Sequence, residues 1–324
     1  MPIIPLSLPD IYVAQARLRP YLPPTPLLEA TSLTAQVGQP VWAKLETVQP
    51  TGSFKARGAL HALLTLDPAL RPQGVVTASA GNHGLGVAYA ARLVGTTAHI
   101  FLGDQSSPAK QARIRRLGAT VHLVPGAYEQ AHHAADEFAH QTGRPYIHAY
   151  ADPVIMAGQG TLALELLAQR PDLSAVIVPV GGGGLISGMA VALKTLRPDI
   201  QLIAVQPEAS PSLSRSLADG TVYEDYPAGE TIADGVAGGV GQAVVAVARA
   251  GWINQVVDVP EVRLRRALAW TVREEGWLIE GSAALPIAAL LDGAVRVQGP
   301  VAVVLTGGNI AAELVMEILR ERDA

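Results

Sequence analysis

The sequence predicts an α/β protein with mainly parallel sheets. Short runs rich in Val, Ile and Leu alternate with longer segments of helical periodicity along most of the chain. Several of the short runs are apolar throughout, as is typical of strands that helices cover on both faces. This alternation indicates strands joined by right-handed helical crossovers. The 324 residues suggest two domains, at about 150 residues each.

Strands are predicted where a short apolar or β-branched run stands between turn residues. They are Val41–Glu46, Gly74–Ala78, Ala98–Leu102, Thr120–Val124, Ala175–Val180, Gln201–Gln206, Gln255–Val259 and Val301–Leu305. Helices are predicted where apolar residues recur every three or four positions. They are Asn82–Val94, Pro108–Leu117, Tyr128–Gln141, Gly158–Gln169, Leu185–Leu196, Glu261–Glu275, Ser282–Asp292 and Ile310–Arg320. The proline-rich N-terminal segment predicts extended chain with one short helix near Asp10–Leu18.

The composition excludes several classes of function. A net charge of −4 without a long run of one sign gives no footprint for nucleic acid. The lack of cysteine excludes disulfides, thiolate nucleophiles and thiolate metal sites. The N-terminus has neither the basic start nor the unbroken apolar run of a secretory signal, and the most apolar region is interrupted by Pro179 and by glycines. We therefore expect a cytoplasmic protein.

The stretch PTGSFKARGA, residues 50–59, places Lys55 among small residues. The chain holds 24 Lys and Arg residues, and only four of them are lysines. An ammonium can lose its proton and become a nucleophilic amine, whereas a guanidinium cannot. From this stretch alone, Lys55 fits a solvated helix start as well as a reactive amine.

Four consecutive glycines, residues 181–184, follow a predicted buried strand and precede a predicted helix. Such a turn exposes successive backbone N–H groups at a helix N-terminus, where they bind anions. The following residues Leu185, Ile186 and Ser187 fit neither the nucleotide P-loop nor the G-x-G-x-x-G spacing of dinucleotide sites. The loop therefore predicts a phosphate site without a nucleotide signature.

Two further stretches place polar residues where buried strands end. In TASAGNHGLG, a strand ends near Ser79 and a helix begins near Asn82, which makes a seat for a carboxylate. In VAVVLTGGNI, Thr306 follows the strand Val301–Leu305. Ligands of open α/β sheets bind outside the carboxyl ends of strands, so these stretches predict parts of one site.

Six motifs of the chain occur in the order in which a known enzyme family carries them. They are KLETVQPTGSFKARGA (44–59), ASAGNHGLGVA (78–88), DPVIMAGQGTLALE (152–165), PVGGGGLISG (179–188), TIADGVA (231–237) and LTGGN (305–309). With these motifs the chain resembles the fold-type II pyridoxal-phosphate enzymes, in the branch of serine/threonine dehydratases (threonine ammonia-lyases) and serine racemases. The resemblance spans nearly the whole chain.

The resemblance implies a tryptophan-synthase-beta-like fold of two domains, each with a mainly parallel sheet flanked by helices. A discontinuous large cofactor-binding domain would comprise residues 1–65 and 150–324. A small domain of residues 70–149 would carry the substrate loop. The resemblance further implies pyridoxal 5'-phosphate as the cofactor, an amino acid as the substrate and a homodimer or larger homo-oligomer, without a nucleic-acid or membrane partner.

The resemblance also assigns a cofactor site. Lys55 would form the Schiff base with pyridoxal phosphate, and Phe54 would pack beside the ring. Asn82 would hydrogen-bond the ring hydroxyl, and Thr306 would face the pyridine nitrogen. The phosphate would be held by Gly181, Gly182, Gly183 and Gly184.

The substrate carboxylate would bind to the loop that follows the second predicted strand. Its residues by the resemblance are Ser79, Gly81, Asn82 and His83. Glu280, in the stretch LIEGSAALP, matches a family glutamate near the ring, and a helix-capping acid is an equal alternative. Relatives that bind a divalent cation use acidic ligands where this chain has Gln206 and Ser212, so no metal is predicted.

The reaction implied is α,β-elimination from a β-hydroxy amino acid, L-threonine or L-serine, giving a 2-oxo acid and ammonia. Lys55 would remove the Cα proton. Serine racemases of this branch carry a second serine, as the acid/base of the opposite face, where this chain has Ala80. That difference favours elimination over racemisation.

Other interpretations stay open. A serine racemase or a dehydratase of another hydroxy-amino acid, such as hydroxyaspartate, has the same motifs. A β-replacement enzyme such as a cysteine synthase fits less well, because its Ser-Val-Lys-Asp-Arg and Ser-Gly-Asn-Thr motifs disagree with Phe54, Ala56 and His83. A catalytically silent binding protein would have no need of an intact Lys55.

Overall fold

The computed structural model describes residues 3–321, which form helices and strands in alternation. The strands are β1 (Leu27–Glu29), β2 (Val41–Leu45), β3 (Val75–Ala78), β4 (Ala98–Gly103), β5 (Thr120–Val124), β6 (Ala175–Pro179), β7 (Gln201–Pro207), β8 (Gln255–Val259) and β9 (Val301–Leu305). The α-helices are α1 (Leu8–Leu18), α2 (Thr31–Val37), α3 (Lys55–Thr65), α4 (Asn82–Val94), α5 (Pro108–Arg116), α6 (Tyr128–Thr142), α7 (Pro153–Gln169), α8 (Gly184–Leu196), α9 (Ser212–Asp219), α10 (Gln242–Arg249), α11 (Glu261–Trp270), α12 (Gly281–Leu291) and α13 (Ala312–Arg320).

The larger sheet has six strands in the order β1-β2-β9-β6-β7-β8. All neighbours pair in parallel except β1, which runs antiparallel to β2. Strands β2 and β6 flank β9, and both Val41 and Ala175 are in register with Val301. The carboxyl ends of these three strands therefore meet at one edge, which is where ligands bind in open α/β sheets.

Helices cover both faces of this sheet, so its central strands are apolar throughout. In β6, Val176 and Val178 pack in one core with α7, α8 and α10, whereas Ala175 and Ile177 pack in the other with α2, α11 and α12. Successive side chains of a strand point to opposite faces. The predicted burial of the strands on both faces is confirmed.

The smaller sheet has three parallel strands in the order β3-β4-β5. Ile100 and Leu102 of β4 pack against α3 and α4, and Phe101 packs against α6 on the other face. Helix α3 thus joins the core of this sheet, although it follows β2 of the larger one. Each sheet falls within one of the two predicted domains, and the domain boundaries stay a prediction.

The structure confirms the α/β class, and the eight predicted strands lie within one residue of their observed ends. The prediction missed β1, α2, α3, α9 and α10. Helix α3 lacks a periodic pattern because Ala56 to Leu63 are all buried. Helix α7 begins five residues before the predicted Gly158, and the last turn of the predicted Glu261–Glu275 helix is a π-helix, Thr271–Glu275. Among the helices of residues 3–321, none has the length and apolar character that crossing a bilayer requires.

Candidate active site

Lys55 is the first residue of α3 and lies at the carboxyl edge of the larger sheet. Its Nζ donates a hydrogen bond to the carbonyl oxygen of Ala149 at 2.9 Å and lies 5.1 Å from the centre of the Phe54 ring. Burial lowers the pKa of the Lys55 amine to about 8, against a partly opposing effect of Glu280. The amine can therefore exchange a proton near neutral pH.

The end of β9 holds the turn that precedes Lys55. The backbone N–H of Phe54 donates to the carbonyl of Thr306 at 3.0 Å, and Ser53 forms an antiparallel bridge with Gly307. Gly308 N–H donates to the carbonyl of Gly52 at 3.0 Å. These bonds bring Lys55 and Thr306, which are far apart in sequence, to one place.

The Thr306 hydroxyl is buried and has no hydrogen-bond partner among the described residues. Buried polar atoms are usually paired, so this hydroxyl is free to bond a group that binds at the end of β9. A pyridine nitrogen is a partner of suitable chemistry. Thr306 therefore fits a cofactor of the predicted type.

Close packing explains the four glycines before α8. A Cβ on Gly181 would lie 2.8 Å from Val236 Cα, one on Gly182 would lie 2.3 Å from the Tyr150 ring, and Gly183 has a φ of +87°. The N–H groups of Gly181, Gly182 and Gly183 find no acceptor within residues 3–321. The loop thus presents free donors at a helix N-terminus, which suits a phosphate.

The loop after β3 forms a second set of donors. The Ser79 hydroxyl accepts from Gly81 N–H at 3.2 Å, and α4 begins at Asn82. The first N–H groups of a helix have no intrahelical acceptor. A carboxylate placed before α4 would meet these groups.

His83 turns its ring away from this helix start. Its Nε2 lies 3.0 Å from the carbonyl oxygen of Ile147, so Nε2 carries the proton, and Nδ1 has no partner among the described residues. Burial, followed by the nearby Lys55 charge, lowers the pKa of His83 to about 3. His83 is therefore neutral, and its place in the predicted carboxylate loop rests on its backbone N–H.

Asn82 joins the two sheets through its side chain. Its Nδ2 donates to both carboxylate oxygens of Glu280, at 3.0 and 2.9 Å, and its Oδ1 accepts from Asn309 Nδ2 at 2.6 Å. Burial raises the pKa of Glu280 to about 7, although the bonds from Asn82 oppose the shift. Glu280 is the N-cap residue of α12, but its side chain makes no capping bond to that helix, and its role near the ring stays a prediction.

The segment His148–Tyr150 is a part of the site that the sequence analysis missed. Ala149 supplies the acceptor for Lys55, and Tyr150 packs against Gly182. His148 Nδ1 accepts from the N–H groups of Tyr150 and Ala151 at 3.1 and 3.0 Å, and burial lowers the pKa of His148 to about 4. The signal was present: only 5% of the chain is aromatic, yet Tyr146, His148 and Tyr150 alternate here.

The predicted absence of a metal site remains a prediction. Within residues 3–321, no group of three or more His, Asp or Glu side chains is arranged to hold a metal ion. The Gln206 amide is buried, and its Oε1 accepts from Leu213 N–H at 2.9 Å. Gln206 is thus engaged in holding the start of α9.

The buried amine, the free backbone donors and the unpaired hydroxyl fit an enzyme that uses a phosphorylated aldehyde cofactor. Residues 18–307 match the family model described as pyridoxal-phosphate dependent enzyme. The chain belongs to this family.

Within this family, the chain is similar to threonine ammonia-lyases and serine racemases. The L-threonine ammonia-lyase of Thermotoga maritima is 36% identical over 317 residues, which cover 98% of this chain and 79% of that protein. Human serine racemase is 33% identical over 312 residues, covering 94% of this chain and 92% of that protein. Among solved structures, maize serine racemase has a TM-score of 0.92 at 32% identity and covers 97% of both chains. A threonine deaminase has a TM-score of 0.88 at 37% identity and covers 94% of this chain and 99% of that one. The fold is therefore that of the fold-type II enzymes.

Proposed function

We propose that this protein is a pyridoxal-phosphate-dependent ammonia-lyase that eliminates water from L-threonine or L-serine and yields a 2-oxo acid and ammonia. The observation that carries the proposal is the buried Lys55 amine, whose pKa is lowered to about 8, at the edge where three strand ends meet. Relatives named L-threonine ammonia-lyase match over nearly the whole chain, which supports the same reaction here.

The described residues fit the cofactor. The free N–H groups of residues 181–184 would hold its phosphate, Phe54 would lie beside its ring, and the orphaned Thr306 hydroxyl would meet its ring nitrogen. Asn82 Nδ2 now donates to Glu280, and it would donate to the ring hydroxyl either in addition to these bonds or in place of them. When bound, the cofactor supplies the electron sink that makes the Cα–H bond of an amino acid acidic.

The chain itself supplies binding and proton transfer. The N–H groups at the start of α4, with the Ser79 hydroxyl, would hold the substrate carboxylate. Lys55 would take the Cα proton, since a base works best when its pKa lies near the working pH. Glu280, with a pKa of about 7, accepts the hydrogen bonds of the Asn82 amide. Its protonation state would therefore set the strength of these bonds.

Racemisation is the second candidate, because relatives named serine racemase also match. Two-base racemisation needs a proton donor on each face of the substrate. The loop residue Ala80 carries only a methyl group, as the sequence analysis noted. Elimination is therefore the preferred reaction.

Three further expectations belong to the same proposal. The protein would act in the cytoplasm, in keeping with a chain that has no cysteine. It would form a homodimer or larger homo-oligomer. Residues 1–65 with 150–324 and residues 70–149 would behave as the large and small domains.

The decisive experiment is an assay of β-hydroxy amino acids for release of 2-oxo acid and ammonia. We expect turnover of L-threonine or L-serine, and loss of both turnover and the visible absorption of the lysine-bound cofactor in Lys55→Ala. The matched control is Lys194→Ala, a lysine near the end of α8 that bonds Asn254, which should keep both signals. Full activity of Lys55→Ala would overturn the proposal.

A further inference from the structure

A cluster of four charged side chains lies in the core next to α3, shielded from solvent. Lys44, Glu46, Arg57 and Glu165 are 0, 0, 2 and 9% exposed. Buried charges carry a large desolvation penalty, and a well-packed apolar set of the same volume is often as stable. The proposed reaction uses none of the four, so their presence calls for another explanation.

Arg57 is held between two carboxylates. Its Nε and Nη2 donate to the two oxygens of Glu46, both at 2.8 Å. On its other edge, Nη1 and Nη2 donate to the two oxygens of Glu165 at 2.6 and 2.9 Å. Two bidentate pairs fix both the position and the plane of a guanidinium, which an ammonium cannot reproduce.

Lys44 shares the carboxylate of Glu165 with Arg57. Its Nζ donates to Glu165 Oε2 at 2.6 Å, to the carbonyl of Thr25 at 2.7 Å and to Gln169 Oε1 at 2.8 Å. These bonds tie β2 to α7 and to the N-terminal segment. They leave the turn that carries Lys55 untouched.

Glu46 and Arg57 close that turn. Glu46 follows β2 directly, and Arg57 lies in the first turn of α3, two residues after Lys55. The contact between Glu46 and Arg57, which we call the clasp, joins the two ends of the segment 46–57. Because both bonds of the clasp are charged, the first turn of α3 cannot slide against the end of β2 without breaking them.

We propose that Glu46 and Arg57 are positioning residues that hold the Lys55 amine where it meets the cofactor. The effect is geometric, because two positive and two negative charges leave the cluster with no net charge. In agreement, burial and Glu280 are what shift the pKa of Lys55, and no member of the cluster contributes. A small displacement of a reacting group is enough to cost a large factor in reactivity.

The inference rests on the proposed role of Lys55, and the two can fail separately. Removing one charge would strand its partner in the core and unfold the protein. We therefore compare two charge-balanced double variants. Glu46→Gln with Arg57→Met removes the clasp and keeps the pair Lys44 and Glu165. The comparison variant, Lys44→Met with Glu165→Gln, keeps the clasp, removes the lysine pair and leaves Arg57 an amide in place of the Glu165 carboxylate.

The first readout is thermal unfolding of each protein without cofactor, which reports any shared structural cost. The second is titration with pyridoxal phosphate, followed by the visible absorption of the lysine-bound cofactor. Borohydride trapping and peptide mass spectrometry then give the fraction of cofactor on Lys55. With four lysines in the chain, the assignment is unambiguous.

We expect similar melting temperatures for the two double variants but different cofactor binding. The clasp variant should bind pyridoxal phosphate at least about tenfold more weakly than wild type, and the comparison variant within about twofold. Arg57→Lys keeps the positive charge but loses the bidentate guanidinium geometry, so it should also bind pyridoxal phosphate weakly. This variant provides the test if the clasp variant does not fold. The proposal would be overturned if the clasp variant bound pyridoxal phosphate as tightly as the comparison variant. The same affinity in Arg57→Lys as in the comparison variant would also overturn it. Cofactor trapped on a residue other than Lys55 in the wild type would instead overturn the proposed function.

Discussion

Lys55, Glu280 and Thr306 illustrate how the fold changes the chemistry of single residues. Burial lowers the pKa of the Lys55 amine to about 8 and raises the pKa of the Glu280 carboxyl to about 7. The Thr306 hydroxyl is buried without a partner among the described residues. The protein thus holds two groups with pKa values near neutral pH and one unpaired hydroxyl. These features cost stability, and a bound cofactor would offset that cost.

The cost of Glu280 can be measured through pH. Its folded pKa of about 7 lies above the ordinary 4.5, so its contribution to stability is full below pH 4.5 and is lost as pH rises through 7. Glu280→Gln removes this loss and should stabilise the cofactor-free protein more at pH 8 than at pH 5, by at most roughly 3 kcal/mol at about 1.4 kcal/mol per pKa unit. Thermal melts at both values test this, with Glu313→Gln, an exposed site, as the control. Parallel pH curves for wild type and Glu280→Gln would refute it.

We expect Ala80 to favour elimination over racemisation. The wild type should form little D-isomer from L-serine, because one face of the substrate lacks a proton donor. Ala80→Ser should raise racemisation at least several-fold, while elimination persists. The upper bound is the factor that one well-positioned acid/base contributes. Chiral chromatography of the residual amino acid measures the outcome, with the exposed Ala294→Ser as control. A wild type that racemises as fast as it eliminates would mean that another group serves that face.

At the scale of elements, the glycine loop and α8 act as one unit. The strand β6 delivers the loop to the sheet edge, and close contacts with Tyr150, Val236 and Val244 set its path. The backbone, rather than any side chain, would therefore bind the phosphate in the proposed site.

Gly182→Ala tests this unit. Its methyl group would lie 2.3 Å from the Tyr150 ring, so either the loop or the ring must move. We expect affinity for pyridoxal phosphate to fall by about tenfold or more, equivalent to about 1.4 kcal/mol. Gly229→Ala, whose methyl group would make ordinary contacts at 3.5 Å, is the control and should bind like wild type. Unchanged affinity in Gly182→Ala, measured by absorption titration, would contradict the assignment of the phosphate to this loop.

At the scale of the whole molecule, the site lies where the two sheets meet. Asn82 of the smaller sheet's first helix bonds Glu280 before α12, and Arg113 of α5 bonds Asn309 after β9. Lys110 of α5 pairs with Asp234 at 3.1 Å, in an exposed bridge that contributes little to stability. Relative movement of the sheets would therefore act directly on the substrate loop.

The whole molecule should need no divalent cation for its stability or activity. Gln206 and Ser212 stand where cation-binding relatives have acids, and the Gln206 amide bonds Leu213 and Ser214 at the start of α9. Treatment with a chelator should leave the melting temperature and the turnover nearly unchanged. A large loss that Mg²⁺ or Ca²⁺ restores would reveal another set of ligands, and Glu208→Gln would then identify the nearest candidate.

The sequence by itself determined the class of fold, the described strands other than β1 and the motifs of the candidate site. Apolar runs such as Ala175–Val180 specify buried strands because hydrophobic burial depends on local pattern. The glycine run before α8 predicts a site where backbone N–H groups bind an anion. Tertiary structure decided what depends on long-range contact. It brought Glu46, Arg57 and Glu165 into one buried cluster, joined Asn82 to Glu280 and placed Ala149 against Lys55. It also set the pKa values of Lys55 and Glu280, because desolvation is a property of the packed surroundings and not of the neighbouring residues in the chain.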